Sequence, residues 1–164
     1  MGWSTAYNNT ATSPATVRDL DPEPVNWGAD FRVSKETGSE AIFTNISCPV
    51  DKPETIRVAF AEIKDVFKGT PIDPTTNALA PTGIVSRGCS VLVQLNMVVT
   101  GEDSVAYPVS AHLVLKLPYG AAPSADNVSE LVQRLMGTLY DTGETAPDTR
   151  LEGLIRGAMT PPDL

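Results

Sequence analysis

The chain reads as an α+β protein: an amino-terminal β-hairpin, an antiparallel meander sheet, and two helices at the carboxyl end. Three observations predict this. From Val105 a long alternating strand runs to Pro118, and the chain then passes directly into an amphipathic helix. Upstream, two further long alternating runs are separated by turn-forming connections. Fourteen prolines and twelve glycines in 164 residues supply those turns and suit antiparallel strands better than a helical bundle. The length is that of one domain, 1–164, with 1–38 as the hairpin arm, 39–119 as the sheet and 124–160 as the helices.

Residues 1–38 are polar and turn-rich, broken by Pro14, Pro22 and Pro24, and within them Ala15 to Leu20 and Ala29 to Lys35 are expected to pair as a short hairpin. Trp27 and Phe31 are the anchors that fasten this arm to something larger. Ala41 to Ser47 is a short strand stopped by Pro49, and Thr55 to Phe67 a long one. In the latter, Ile56, Val58 and Phe60 face one way, and Arg57, Ala59 and Ala61 the other. The proline-rich connection from Lys68 to Gly83 exceeds an ordinary hairpin loop and implies an exposed excursion.

Ile84 to Thr100 is the longest strand expected, on the order of 50 Å at about 3.3 Å per residue. Cys89, Val91, Val93, Leu95 and Met97 form its dry face, and Ser90, Leu92, Gln94 and Asn96 the other. In the strand that follows, Val109, Ala111, Leu113, Leu115 and Leu117 recur every second residue, while Ser110, His112, Val114 and Lys116 point away from them. Ser124 caps the first helix, whose stripe is Val128, Leu131, Val132, Leu135, Met136 and Leu139, and Gly143 closes it. The second helix spans Thr149 to Met159, with Thr149 and Glu152 as a capping box and Leu151, Leu154 and Ile155 as its stripe.

Two helices are little cover for so long a dry face. Burying the six apolar side chains of the first helix is worth about 9–18 kcal/mol as an upper bound, at about 1.5–3 each. We expect that stabilisation to be completed between chains, each subunit's helices lying over a neighbour's sheet.

Composition narrows the chemistry. A net charge of −8 argues against a nucleic-acid partner, but the distribution weakens that argument. Between Gly83 and Ala125 the only acids are Glu102 and Asp103, adjacent in one turn, whereas Arg87, His112 and Lys116 lie on or beside the strands. Cys48 and Cys89 are too few for a disulfide framework, and no metal-ligand spacing surrounds them. No glycine-rich phosphate loop is present, so no cofactor is expected. The single histidine, His112, has no nucleophile or acid partner fixed by a motif, so the chain is read as not an enzyme. With neither an apolar run near 18 residues nor a secretory leader, no membrane is expected among its partners.

The order of these parts resembles the coat proteins of single-stranded RNA bacteriophages. The resemblance is carried by VAYPV, by AHLVLKLP running into the helix, and by DNVSELVQRLMGTLYDTG; it covers roughly 39–160 and is strongest over 84–143. It implies a homodimer whose two sheets join edge to edge and whose helices interlock, with Val128, Leu131, Leu135 and Leu139 at the dimer interface. It further implies assembly of dimers into a T=3 icosahedral shell around single-stranded genomic RNA, hence residence in the virion after synthesis in a bacterial host's cytoplasm. The sheet face turned from the helices would line the interior, bind RNA through Ser90, Gln94, Ser110, His112 and Lys116, and could repress translation through an RNA hairpin. The sequence departs from the family in its longer Lys68 to Gly83 connection, its extended amino-terminal arm and an interior face that reads as less basic. The alternative is a non-assembling RNA-binding or interaction domain of the same fold.

Overall fold

The computed structural model describes residues 25–71, 73, 86–119, 124–139 and 149–160. The chain divides into two compact units, one of residues 24–122 and one of residues 1–23 with 123–164. Among the described residues the first holds five strands: β1 (Phe31–Thr37), β2 (Glu40–Asn45), β3 (Thr55–Ile63), β4 (Gly88–Thr100) and β5 (Ala106–Pro118). They form one antiparallel sheet in sequence order, the expected meander.

Register follows the alternation of the sequence. Val93 lies between Val58 and Leu113, and Leu95 between Ile56 and Ala111, so one face is apolar from β2 to β5. The three buried apolar residues among those described, Phe31, Ile56 and Cys89, all belong to this face. Trp27 closes it at the β1–β2 end, packing on Phe31 at 5.5 Å and edge-on to Phe43 at 5.1 Å between ring centroids. The expected anchoring role of Trp27 and Phe31 is thus met within the sheet itself. Elsewhere Phe60, Val93, Met97 and Val109 on the same face remain exposed.

Several expected boundaries are corrected. The hairpin at the amino-terminal edge is β1 with β2, joined through Gly38 and Ser39 and interrupted by a bulge between Val33 and Lys35. Ala15 to Leu20, expected to pair with Ala29 to Lys35, lies outside the described residues. β3 stops at Ile63 rather than Phe67, because the Asp65 carboxylate accepts from the Phe67 amide at 3.0 Å and the chain then turns through Gly69 at φ +76°. β4 begins at Gly88 rather than Ile84. The Ser86 carbonyl is taken by the Val66 amide, and the Tyr119 amide donates to the Arg87 carbonyl, carrying the β4–β5 pairing one step past Gly88. A Cβ on Gly88 would collide with the Leu117 carbonyl and a Val66 methyl, so this entry point requires a glycine. At 13 residues β4 extends roughly 43 Å at about 3.3 Å per residue.

The second unit contains α1 (Ala125–Gly137) and α2 (Thr149–Ile155). Ser124 caps α1 as expected: its hydroxyl accepts from the Asn127 amide, and the Asn127 side chain accepts from the Ser124 amide, each at 3.3 Å. α1 ends at Gly137, earlier than expected. The Thr138 hydroxyl donates to the Leu135 carbonyl at 2.7 Å and satisfies one of its last acceptors; Gly143 lies outside the described residues. α2 ends at Ile155 rather than Met159. Gly157 at φ +89° donates to the Leu154 carbonyl, and Ala158 to that of Gly153, the paired bonds of a Schellman cap. Thr149 is the first helical residue of α2, not the cap expected of it. No residue of α1 is buried, and Leu131 and Leu135 are 56% and 53% exposed.

Ile56 is 6% exposed at the centre of the apolar face, between Phe43 and Leu95. Ile56→Ala is expected to cost about 2–5 kcal/mol of stability, whereas Val50→Ala on the open loop stays within about 0.5 kcal/mol. Urea denaturation of the two variants against the parent chain checks the contrast.

Candidate nucleic-acid interface

The sheet's other face is built in rows that run across the strands, adjacent rows on one face lying about 6.6 Å apart along the chain. Ser90 stands directly opposite Lys116, and Gln94 directly opposite His112. Ser110 stands opposite Asn96. The five residues expected to meet RNA therefore share one face, across a hairpin whose register has no bulge. Ser110, His112 and Lys116 are exposed, and Ser90 and Gln94 half-buried.

Register adds residues that the sequence alone did not place. Arg57 pairs with Gln94 on the side away from His112, and Ile42 and Lys35 continue the same row to the sheet's edge. The neighbouring row is Arg32, Thr44, Thr55, Asn96 and Ser110. A short hydrogen-bond chain links the two: Gln94 Nε2 donates to Asn96 Oδ1 at 2.9 Å, and Asn96 Nδ2 to Thr55 Oγ1 at 3.4 Å. Between this pair of rows and the Ser90–Lys116 pair lies an aliphatic row of Ala59, Leu92 and Val114, in which Val114 is 52% exposed.

This face is more basic than the sequence suggested. Arg32, Lys35, Arg57 and Lys116 occupy its strand positions, and among the described residues Glu40 is their only acid. Glu40 is engaged on both oxygens: Lys35 Nζ lies 2.9 Å from Oε1, and Arg57 places Nε at 2.8 Å and Nη2 at 2.5 Å from Oε2. The hydrogen bond from Lys35, followed by that from Arg57, holds the Glu40 carboxyl below the usual glutamate range. The signal that could have placed Arg57 was its parity in the third strand; its neighbour in the adjacent strand is fixed only by register.

Chemically, the face offers hydroxyls, amides and an imidazole for base edges and ribose, guanidinium and ammonium groups for phosphates, and an aliphatic floor between them. The turn at the far end of the β4–β5 hairpin is separately fastened. The Tyr107 hydroxyl donates to Asp103 Oδ2 at 2.6 Å and the Val105 amide to Oδ1 at 3.0 Å, while Ser104 takes φ +62°. These bonds, Tyr107's first, lower the Asp103 pKa, and the Asp103 carboxylate raises that of Tyr107.

The four residues expected at a dimer interface lie along and just beyond α1. Val128, Leu131 and Leu135 follow its apolar stripe, and Leu139 falls in the turn after it, its amide donating to the Met136 carbonyl. No helix among the described residues is long and apolar enough to cross a membrane.

No protein-family model matches the chain, and no curated protein does. Among solved structures it is similar to a chain of the virus-like particle of bacteriophage AVE015, with a TM-score of 0.76 and 24% identity over 98% of this chain and 100% of that one. It is also similar to a chain of the virus-like particle of bacteriophage GQ-112, with a TM-score of 0.61 and 12% identity over 95% and 98% of the two chains. What the chains share is the fold.

The depressed Glu40 pKa makes an acid-side prediction. The stabilisation its ion pairs give is present above the ordinary glutamate range and is lost as pH falls through the lower folded value. The urea midpoint of the parent chain is therefore expected to drop more steeply on acidification than that of Glu40→Gln, the two curves converging once Glu40 is protonated.

Proposed function

We propose that this chain is a structural capsid subunit that forms homodimers, assembles into an icosahedral shell and packages single-stranded RNA. The observation that carries the reading is the end-to-end likeness in fold to subunits of two bacteriophage virus-like particles. A second observation supports it. The apolar face of the sheet and the apolar stripe of α1 are both exposed in the single chain, more than an isolated soluble domain leaves open. A second copy that covers them makes one stable body of two marginal ones, and that exposure favours assembly over a solitary RNA-binding domain of the same fold.

In this reading the dimer interface includes Val128, Leu131, Leu135 and Leu139, with helices of one subunit interlocking with those of the other. The polar face turns inward, and Ser90, Gln94, Ser110, His112 and Lys116, joined by Asn96, meet the RNA. The shell is T=3, the finished protein resides in the virion after synthesis in a bacterial host's cytoplasm, and the same face can hold an RNA hairpin to repress translation. The role is structural, without catalysis.

Light scattering and negative-stain microscopy of the purified chain test assembly directly; a stable monomer at micromolar concentration overturns it. Because Leu135 is already half-exposed in the single chain, Leu135→Asp should cost an isolated subunit little yet abolish assembly. Retention of full-sized particles by that variant would remove α1 from the interface. His112→Ala with Lys116→Ala, both at exposed positions, should leave the subunit folded and reduce packaged RNA. The salt dependence of binding should become shallower by about 0.7, since one fewer phosphate is neutralised on a single strand. Unchanged RNA content at unchanged particle yield would place the RNA elsewhere.

A further inference from the structure

The geometry points to Glu40 as a specificity-determining residue of the polar face, an internal counter-anion that occupies Arg57 and Lys35 so that an RNA phosphate gains little there by charge alone. This inference rests on the reading of that face as the RNA-binding surface. Three observations lead to it. Among the described residues, Glu40 is the single acid at the strand positions of a face that holds four permanent cations. It sits on β2 between the two strands that carry its partners, and its carboxylate is the better covered member of both pairs, 18% exposed against 57% for Lys35 and 39% for Arg57. And it takes the Nε–Nη2 edge of Arg57, the edge a phosphate would otherwise engage with two parallel hydrogen bonds.

The consequence is selective. Charge-assisted contacts with the sugar–phosphate backbone raise affinity for every RNA alike. A carboxylate already seated on the guanidinium must be exchanged for the phosphate, so backbone contact at Arg57 brings little net stabilisation. Contacts with Gln94, Asn96, Ser110 and His112 require no such exchange, and an RNA that presents unstacked bases to those groups is favoured over one that presents backbone only. Discrimination is thus obtained by weakening the wrong complexes. Lys116, two rows from the Arg57 row and opposite Ser90, has no acid beside it among the described residues of this face and supplies the phosphate contact that needs no exchange.

Salt titration of RNA binding by the full-length chain tests this, with a fluorescein-labelled oligouridylate and a mixed-sequence single-stranded RNA of equal length as probes. Glu40→Gln should raise oligouridylate affinity about tenfold and steepen the dependence of log K on log salt by about 0.7, one further phosphate on a single strand. The preference between the two probes should shrink. A role for Glu40 in stability alone would move the melting temperature and leave both the slope and the preference where they were; that result overturns the inference. Arg57→Lys is an independent arm that keeps the charge and loses the two-pronged grip on Glu40. It should raise oligouridylate affinity, and weaker binding would show that Arg57 already serves RNA directly, overturning the inference. A parent chain that forms particles yet binds neither probe at low salt overturns the RNA reading of the face and this inference with it, and is distinguishable from the other failures because binding itself is absent.

Discussion

The unbroken register between β4 and β5 is the constraint on which the other features depend. From Gly88 opposite Pro118 to Thr100 opposite Ala106, the two 13-residue strands run without a bulge, so each residue's face is settled by its neighbour across the ladder. A shift of β5 by one residue would carry Leu113, Leu115 and Leu117 to the side of Ser90 and Gln94, and His112 and Lys116 to the side of Val91 and Val93, and destroy both surfaces together. β3 adopts the same parity along nine pairs, and β2 follows it. The collision that any side chain at Gly88 would make with Leu117 fixes one end of this register, and the Asp103–Tyr107 clasp fastens the other.

Electrostatics then separates the sheet from the chain as a whole. An excess of eight negative charges describes the protein, but the polar face inverts that sign within its own area. Local arrangement, not net charge, decides what approaches a surface at distances near the screening length of about 8 Å. Glu40 moderates the inversion from inside, and Glu62 and Arg87 pair on the opposite, apolar face.

Much of this is legible in the residues. The alternation from Val109 to Leu117, the stop at Pro118 and the Ser124 cap each carry a local physical reason, and the structure places β5 and the start of α1 accordingly. So do Ser90, Gln94, Ser110, His112 and Lys116, whose shared face follows from parity and a hairpin. What is not legible is lateral. Which residue of β3 stands beside Gln94 depends on a register set across a 24-residue connection, so parity turns Arg57 the right way without revealing its company. Gly157 is a readable stop for α2, but the apolar spacing continues to Met159 and masks it. At the other end, the prolines of the arm obscure the Gly38–Ser39 turn, and the sequence alone does not pair β1 with β2.

The strictly sequential strand order has a kinetic meaning. Each strand of the sheet bonds to the one before it in the chain, so no ladder has to wait for a strand beyond its own sequence neighbour. As a nascent chain lengthens, β1 to β3 can zip together before β4 exists, and the last strand to dock is β5, an edge strand whose outer side carries no further ladder among the described residues. The sheet therefore finishes its own growth by presenting a fresh template, and the interval in which unpaired β4 stands at that edge is only as long as the synthesis of one more hairpin arm.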